Sequence, residues 1–115
     1  MDPVTTIEER GGVWIVTLRG EIDAYSAPSL RDDLRELVED RGALVVVIDL
    51  ASVTFLDSSG LGAIVGTLRR LRERDGRLTI VQPESAASRI FEHTGLDAVL
   101  DLHEDREEAF SAAIA

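Results

Sequence analysis

Apolar runs alternate with amphipathic segments along the chain, and this pattern predicts an α/β protein. Runs typical of buried strands begin at Val13, Leu44 and Leu78. Between them, apolar residues recur at helical spacing in two segments, which end near Gly42 and Gly76. Because helical crossovers of this length join parallel strands, we predict that the three strands are parallel, with right-handed connections.

Turn and cap signals place the other elements. A short strand over residues 4–8, followed by Gly11-Gly12, predicts an antiparallel hairpin with the strand over 13–18. Ser26 is the predicted N-cap of the first helix. A strand is predicted over 44–49 with a loop to Asp57, and the second helix that follows has one apolar face, formed by Leu61, Ile64, Val65, Leu68 and Leu71. A strand over 78–81 and a helix from Ser85 to His93 come next. The last predicted elements are a short strand at 99–100 and a terminal helix over 104–114. The expected architecture is a mixed, mostly parallel sheet of four to five strands, with an antiparallel N-terminal edge strand and about four helices.

Composition and charge narrow the classes of function. The chain of 115 residues has 12 basic and 22 acidic residues, for a net charge of −10, and it has no cysteine. Nucleic acid and anionic membranes would repel such a chain, so we expect neither as a partner. No apolar run approaches the roughly 18 residues of a membrane span. We therefore predict a single cytoplasmic domain over residues 1–115.

Two hydroxyls and a carboxylate begin the second predicted helix, within residues 55–62 (FLDSSGLG). The unpaired N–H groups and the dipole of a helix start allow such a position to hold a phosphate. The alternative is that Asp57 or Ser58 only caps the helix, an effect of about 1 kcal/mol. Because the carboxyl ends of parallel strands meet at one edge of a sheet, we expect Asp23 to lie near Ser58.

Two glycines of the second helix, Gly62 and Gly66, fall on the side away from its apolar residues, roughly 150° from them at about 100° per residue. Each glycine costs about 1 kcal/mol relative to alanine in a helix. Bare backbone beside two hydroxyls suits the close approach of a partner. The alternative is that another helix of this chain packs there.

Enzyme and metal sites match the residues poorly. The glycines of residues 60–66 resemble a dinucleotide fingerprint only loosely, and about 20 positions later the predicted strand ends in Gln82-Pro83 rather than in an acidic residue that would bind a ribose. A serine hydrolase elbow requires glycine two positions before the nucleophile, whereas Asp57 stands two before Ser59. His93 and His103, with scattered acids, form no metal signature. We therefore predict neither a catalytic residue nor a metal site.

Several segments of the chain resemble the STAS domain, and specifically the stand-alone bacterial anti-sigma factor antagonists. These segments are residues 20–23 (GEID), 45–50 (VVVIDL) and 55–62 (FLDSSGLG), and residues 91–96 fit the Phe-x-x-x-Gly-Leu segment of the family. The resemblance extends from about Val4 to the end of the chain. It implies the STAS fold in a single domain.

The resemblance also implies a regulator rather than an enzyme. Such antagonists bind an anti-sigma factor that is also an ATP-dependent serine kinase, and the sigma factor is thereby freed. The kinase phosphorylates the first serine of the motif, here Ser58, with Ser59 as the less favoured acceptor; this ends binding, and a serine phosphatase restores it. The chain would need no cofactor, since ATP and magnesium belong to the kinase. The partner-binding residues so predicted are Asp23, Asp57, Ser58, Ser59, Gly60, Gly62 and Gly66.

Two other kinds of function stay open at this point. One is a STAS interaction module of another signalling scaffold or of a transport complex. The other is a domain that binds a small ligand or nucleotide, or an enzyme with Ser58 as its nucleophile. The lack of a suitable base, of lysine and of a metal set counts against the enzyme.

Overall fold

The chain folds into one five-stranded sheet with helices on both faces, in a computed structural model that describes residues 2–85 and 87–115. The strands are β1 (Val4–Arg10), β2 (Val13–Ile22), β3 (Val45–Leu56), β4 (Arg77–Val81) and β5 (Asp101–His103). The helices are α1 (Ala27–Arg35), which continues as a π-helical turn (Glu36–Asp40), α2 (Ser58–Arg72), α3 (Arg89–His93), a 3-10 turn (Leu96–Ala98) and α4 (Arg106–Ile114). The strands lie in chain order across the sheet.

The predicted mixed topology is confirmed. β1 pairs antiparallel with β2 through the two-residue turn Gly11-Gly12. Both glycines have positive φ, 58° and 87°, which suits the tight turns that join twisted strands. From β2 to β5 every neighbouring pair is parallel, so the carboxyl ends of these four strands point in the same direction.

β3 is longer than predicted, and the predicted loop over residues 50–57 is wrong. The strand continues to Leu56 because its second half pairs with the end of β2. Two register shifts interrupt this pairing, so the buried residues Leu50, Val53 and Leu56 are spaced by three rather than by two. The irregular spacing hides the strand from a test for strict alternation.

The carboxyl-terminal elements are present but shifted. The third helix begins at Arg89 rather than Ser85, because the Ser88 hydroxyl donates to the Ser85 carbonyl and closes a turn there. Position 86 of that predicted helix lies outside the described residues. The last strand is Asp101–His103 rather than 99–100, and the terminal helix begins two residues late, after Asp105 accepts a hydrogen bond from the Glu108 N–H.

Two apolar clusters occupy opposite faces of the sheet. The larger contains residues of β2, β3, α1 and α2, and the smaller joins Ala109 and Ala113 of α4 to the other face. Beside the smaller cluster, Arg106 donates from Nε and Nη2 to Oδ2 of the buried Asp49, at 3.0 and 2.8 Å. Its Nη atoms also reach Thr17 and Glu8, so one guanidinium fastens α4 to three strands.

A carboxylate pair between the N-terminal segment and α1 makes stability depend on pH. Burial and a hydrogen bond with Asp2 raise the pKa of Asp33 from 3.8 to about 6, and the charge of Glu36 adds to this. Above pH 6 the folded state therefore carries an ionised group that it disfavours. As the pH falls from about 6 towards 3.8, the folded state takes up a proton that the unfolded chain does not, and this group's penalty disappears.

We expect Asp33→Asn to stabilise the fold at pH 8 by about 1 kcal/mol, a value reduced for solvent screening. The gain should shrink to near zero at pH 4, because protonation then removes the same penalty in the wild type. Thermal unfolding at the two pH values measures it. Asp40→Asn, at an exposed carboxylate of the π-helical turn, is the control. An equal gain at both pH values would contradict this assignment.

Candidate functional site

The candidate site lies where β2 and β3 end side by side. Ile22 pairs with Leu56 in the parallel register, and the Asp57 N–H donates to the Ile22 carbonyl at 3.2 Å. The backbone therefore leaves the sheet at Asp23 from one strand and at Asp57 from its neighbour. The topology brings the predicted residues of both loops to one edge.

Asp57, and not Ser58, caps α2. Oδ1 of Asp57 accepts hydrogen bonds from the N–H groups of Ser59 and Gly60, at 2.9 and 3.2 Å. Ser58 is the first residue of the helix and is exposed, and its hydroxyl forms no hydrogen bond with any described residue. Ser59 is half-buried. The hydroxyl of Ser58 is thus accessible at the positive end of the helix, and the helix does not need it.

The loop that follows β2 is held by Asp23 itself. Its Oδ1 accepts hydrogen bonds from the N–H groups of Tyr25 and Ser26, at 3.0 and 3.1 Å. The bond from the Ser26 N–H lowers the pKa of Asp23, which keeps it ionised at neutral pH. Ser26 is the N-cap residue of α1, as predicted, but its hydroxyl donates to the Glu21 carbonyl and makes no cap hydrogen bond to the helix.

The three glycines of the site differ in their surroundings. Gly60 is buried, and a Cβ there would lie 2.5 Å from Leu56 Cδ1 and 2.6 Å from Ile22 Cγ2. A Cβ on Gly62 would meet nothing within 4 Å, and one on Gly66 only Nη1 of Arg70 at 3.5 Å. Gly60 therefore lets α2 approach the strand ends. Gly62 is exposed and Gly66 half-buried.

These surroundings predict opposite effects of two Gly→Ala substitutions on stability. We expect Gly60→Ala to destabilise the fold by about 1–3 kcal/mol, because the methyl group overpacks against Ile22 and Leu56. Gly62→Ala should stabilise it by up to about 1 kcal/mol through helix propensity. Urea unfolding of both variants measures the difference. Equal effects would show that Gly60 has no special packing role.

Two exposed aromatic side chains flank the site, and neither was predicted from the sequence as a site residue. Tyr25 is 90% exposed beside the Asp23 turn, and Phe55 is 46% exposed near the end of β3. Large aromatic residues with accessible faces are enriched where proteins bind one another. The chain contains one tyrosine and three phenylalanines, and its low aromatic content is a signal that could have directed attention to them.

The histidines and acidic residues do not build a second chemical centre in the described part of the chain. His93 is exposed at the end of α3, and Nε2 of His103 lies 2.8 Å from Oδ1 of Asp101. Among residues 2–85 and 87–115, no three histidine or acidic side chains are grouped as metal ligands would be. Within the same ranges, none of the helices has the length and apolar character needed to span a membrane.

The fold and the site define the class of protein. The model of the STAS domain family matches residues 5–109, and the chain belongs to this family. It is 37% identical over 87 residues to the anti-sigma-B factor antagonist of Listeria monocytogenes, covering 76% of this chain and 75% of that protein. The corresponding Staphylococcus aureus protein is 36% identical over 92 residues, with 80% and 84% covered. A crystal structure of an anti-sigma factor antagonist from Mycobacterium paratuberculosis superposes with a TM-score of 0.87 at 33% identity, covering 96% of this chain and 92% of that one.

Proposed function

We propose that this protein is an anti-sigma factor antagonist. In its unphosphorylated form it binds an anti-sigma factor that is also a serine kinase, and the bound anti-sigma factor releases its sigma factor. Membership of the STAS family and the names of relatives at 36–37% identity support this role. The surface used is the one built from the ends of β2 and β3 and the start of α2.

Ser58 is the phosphate acceptor of this proposal. The observation that supports Ser58 as the acceptor is that Asp57 caps α2, so the Ser58 hydroxyl stays exposed. A kinase can reach that oxygen without opening the helix. Ser59, which is half-buried, is the less favoured acceptor.

The chemistry belongs to the partner. The described residues place neither histidine at the start of α2, since His93 ends α3 and His103 ends β5. The chain is therefore proposed as a substrate and a binding protein, with ATP and magnesium supplied by the kinase. A serine phosphatase would reverse the modification.

The switch requires only a local change of charge. A phosphate on Ser58 brings about −1.5 to −2 charge beside the Asp57 carboxylate and close to the loop of Asp23. The helix dipole tolerates this charge, but an interface that covers it must remove its water and that of its acidic neighbours. Binding is lost while the fold is kept.

Incubation with ATP, magnesium and a kinase-type anti-sigma factor from the same genome tests the proposal. Intact mass should rise by one phosphate, and peptide mapping should place it on Ser58. Ser58→Ala should abolish the modification, whereas Ser59→Ala should retain it. Failure to form a complex with any such kinase, phosphorylated or not, would favour a STAS module of another assembly.

A further inference from the structure

A groove runs beside the carboxyl-terminal half of α2. It has a volume of about 370 Å³, and its lining residues are Val65, Leu68, Arg69, Arg72, Glu73 and Val99. A second cleft of about 230 Å³ shares Leu68, Arg72 and Val99 with it. Val99 is 51% exposed, and Val65 and Leu68, which the sequence placed on the core side of the helix, are half-buried. We call this apolar depression the α2 groove.

Unpaired arginines border the α2 groove. Arg69 and Arg72 are exposed, and neither forms an ion pair with any residue in the ranges 2–85 and 87–115. Arg70 differs, since its Nε lies 3.3 Å from a carboxylate oxygen of Glu39. Glu73 is the one acidic residue of the lining. The chain has a net charge of −10, so this border is a local region of positive charge on a negatively charged protein.

Such a groove complements an acidic segment that carries apolar side chains. The apolar side chains would cover Val65, Leu68 and Val99, and the carboxylates would face Arg69 and Arg72. Opposite charges at the border of an interface select the partner and speed its association more than they add affinity. The overall negative charge of the chain would otherwise repel an acidic partner, so the arginines also decide where it binds.

The α2 groove continues the surface that begins at Ser58. Ser58, Gly62, Val65, Arg69 and Arg72 follow one another at intervals of three or four residues, so they share one face of α2. At about 1.5 Å per residue, Arg69 lies roughly 16 Å along the helix from Ser58, and Arg72 roughly 21 Å. A protein that covers Ser58 and extends along this face reaches the groove.

We propose that the anti-sigma factor places an acidic, apolar-faced segment in the α2 groove, and that this contact is independent of the phosphorylation state of Ser58. The inference rests on the proposed function. Charges in physiological salt are screened over about 8 Å. A phosphate on Ser58 is about twice that distance from Arg69, so it acts on the first contact and leaves the second intact. The groove then determines which anti-sigma factor is recognised, and Ser58 determines when.

A double-mutant cycle tests this independence. Arg69→Glu together with Arg72→Glu is combined with Ser58→Asp, and Kd for the kinase-type anti-sigma factor is measured by calorimetry. We expect the charge reversal to raise Kd roughly tenfold in both the Ser58 and the Ser58→Asp backgrounds, and to reduce the dependence of binding on salt. A reversal that weakens binding only when Ser58 is unmodified would overturn the claim of independence.

Two further variants test whether the change in Kd comes from the groove itself or from a general change of net charge or of helix α2. Val99→Ser keeps every charge, changes an exposed position outside α2, and should raise Kd several-fold. Arg31→Glu with Arg35→Glu makes the same change of net charge on α1 and should leave Kd within twofold. If the groove variants bind like wild type while Ser58→Asp still weakens binding, the groove is refuted and the proposed function stands. If the wild type binds no such kinase, the proposed function fails and the groove proposal with it.

Discussion

Phosphorylation of Ser58 is expected to weaken the complex with the anti-sigma factor more than a hundredfold, which corresponds to about 3 kcal/mol. The added charge stands beside the Asp57 carboxylate, which already uses its Oδ1 to cap α2. An interface that covers the phosphate together with the carboxylates of Asp57 and Asp23 must remove water from three like-charged groups. Calorimetric Kd values for the unmodified and the phosphorylated protein measure the effect.

Matched variants connect this loss of binding to position rather than to net charge. Ser58→Asp should impair binding in the same direction, and its melting temperature should stay within a few degrees of wild type because the Ser58 hydroxyl is not used by the described fold. Ser111→Asp adds the same formal charge at an exposed position of α4 and should bind normally. Phosphorylated protein that binds within threefold of the unmodified form would refute the electrostatic account.

Loss of the Arg106 guanidinium is expected to be the most destabilising of the changes considered. Arg106→Met should reduce the free energy of unfolding by about 3 kcal/mol, because it leaves Asp49 buried and without its charge partner. Asp49 is only 7% exposed, and its other carboxylate oxygen accepts the Ala51 N–H. Urea unfolding measures the loss, and the melting temperature should fall by roughly 10 °C.

The comparison that isolates the ion pair is a double variant. Asp49→Asn with Arg106→Met removes both charges and should cost less than Arg106→Met alone, since no buried charge is left uncompensated. Arg19→Met, at an exposed arginine of β2, should change stability by less than about 0.5 kcal/mol. If the losses of unfolding free energy for Asp49→Asn and Arg106→Met simply add in the double variant, Arg106 acts through packing and not through the ion pair.

The parts of the fold that the sequence predicted are those encoded locally. The apolar runs at β2, β3 and β4 and the Gly11-Gly12 turn each occupy one short window, and together they determined strand direction. The second half of β3 was missed because two register shifts break the alternation that marks a strand. The ion pair of Arg106 with Asp49 joins residues 57 positions apart, so the local sequence around either residue does not predict its partner.

Some features of the candidate site could likewise be predicted from the sequence, and others could not. The position of Ser58 at a helix start and the approach of Asp23 follow from topology. The choice between Asp57 and Ser58 as the cap does not, because both residue types cap helices and only backbone geometry selects one. The same holds for the glycines, since Gly60 and Gly62 are alike in sequence but only Gly60 faces Ile22 and Leu56. Exposure of Tyr25 depends on the turn that Asp23 forms.

The length of β3 carries the chain to Ser58, the proposed acceptor, beyond the point where β4 stops pairing with it. Beyond its last pairing with β4 at Asp49, β3 continues to Leu56 with β2 beside it, a distance of roughly 20 Å at about 3.3 Å per residue. Ser58 follows this two-stranded extension as the first, exposed residue of α2. Because the fold does not use its hydroxyl, the proposed kinase and phosphatase can each act on Ser58 without unfolding any part of the chain. The two bulges that concealed the strand from the sequence pattern thus lie in the extension that presents the serine.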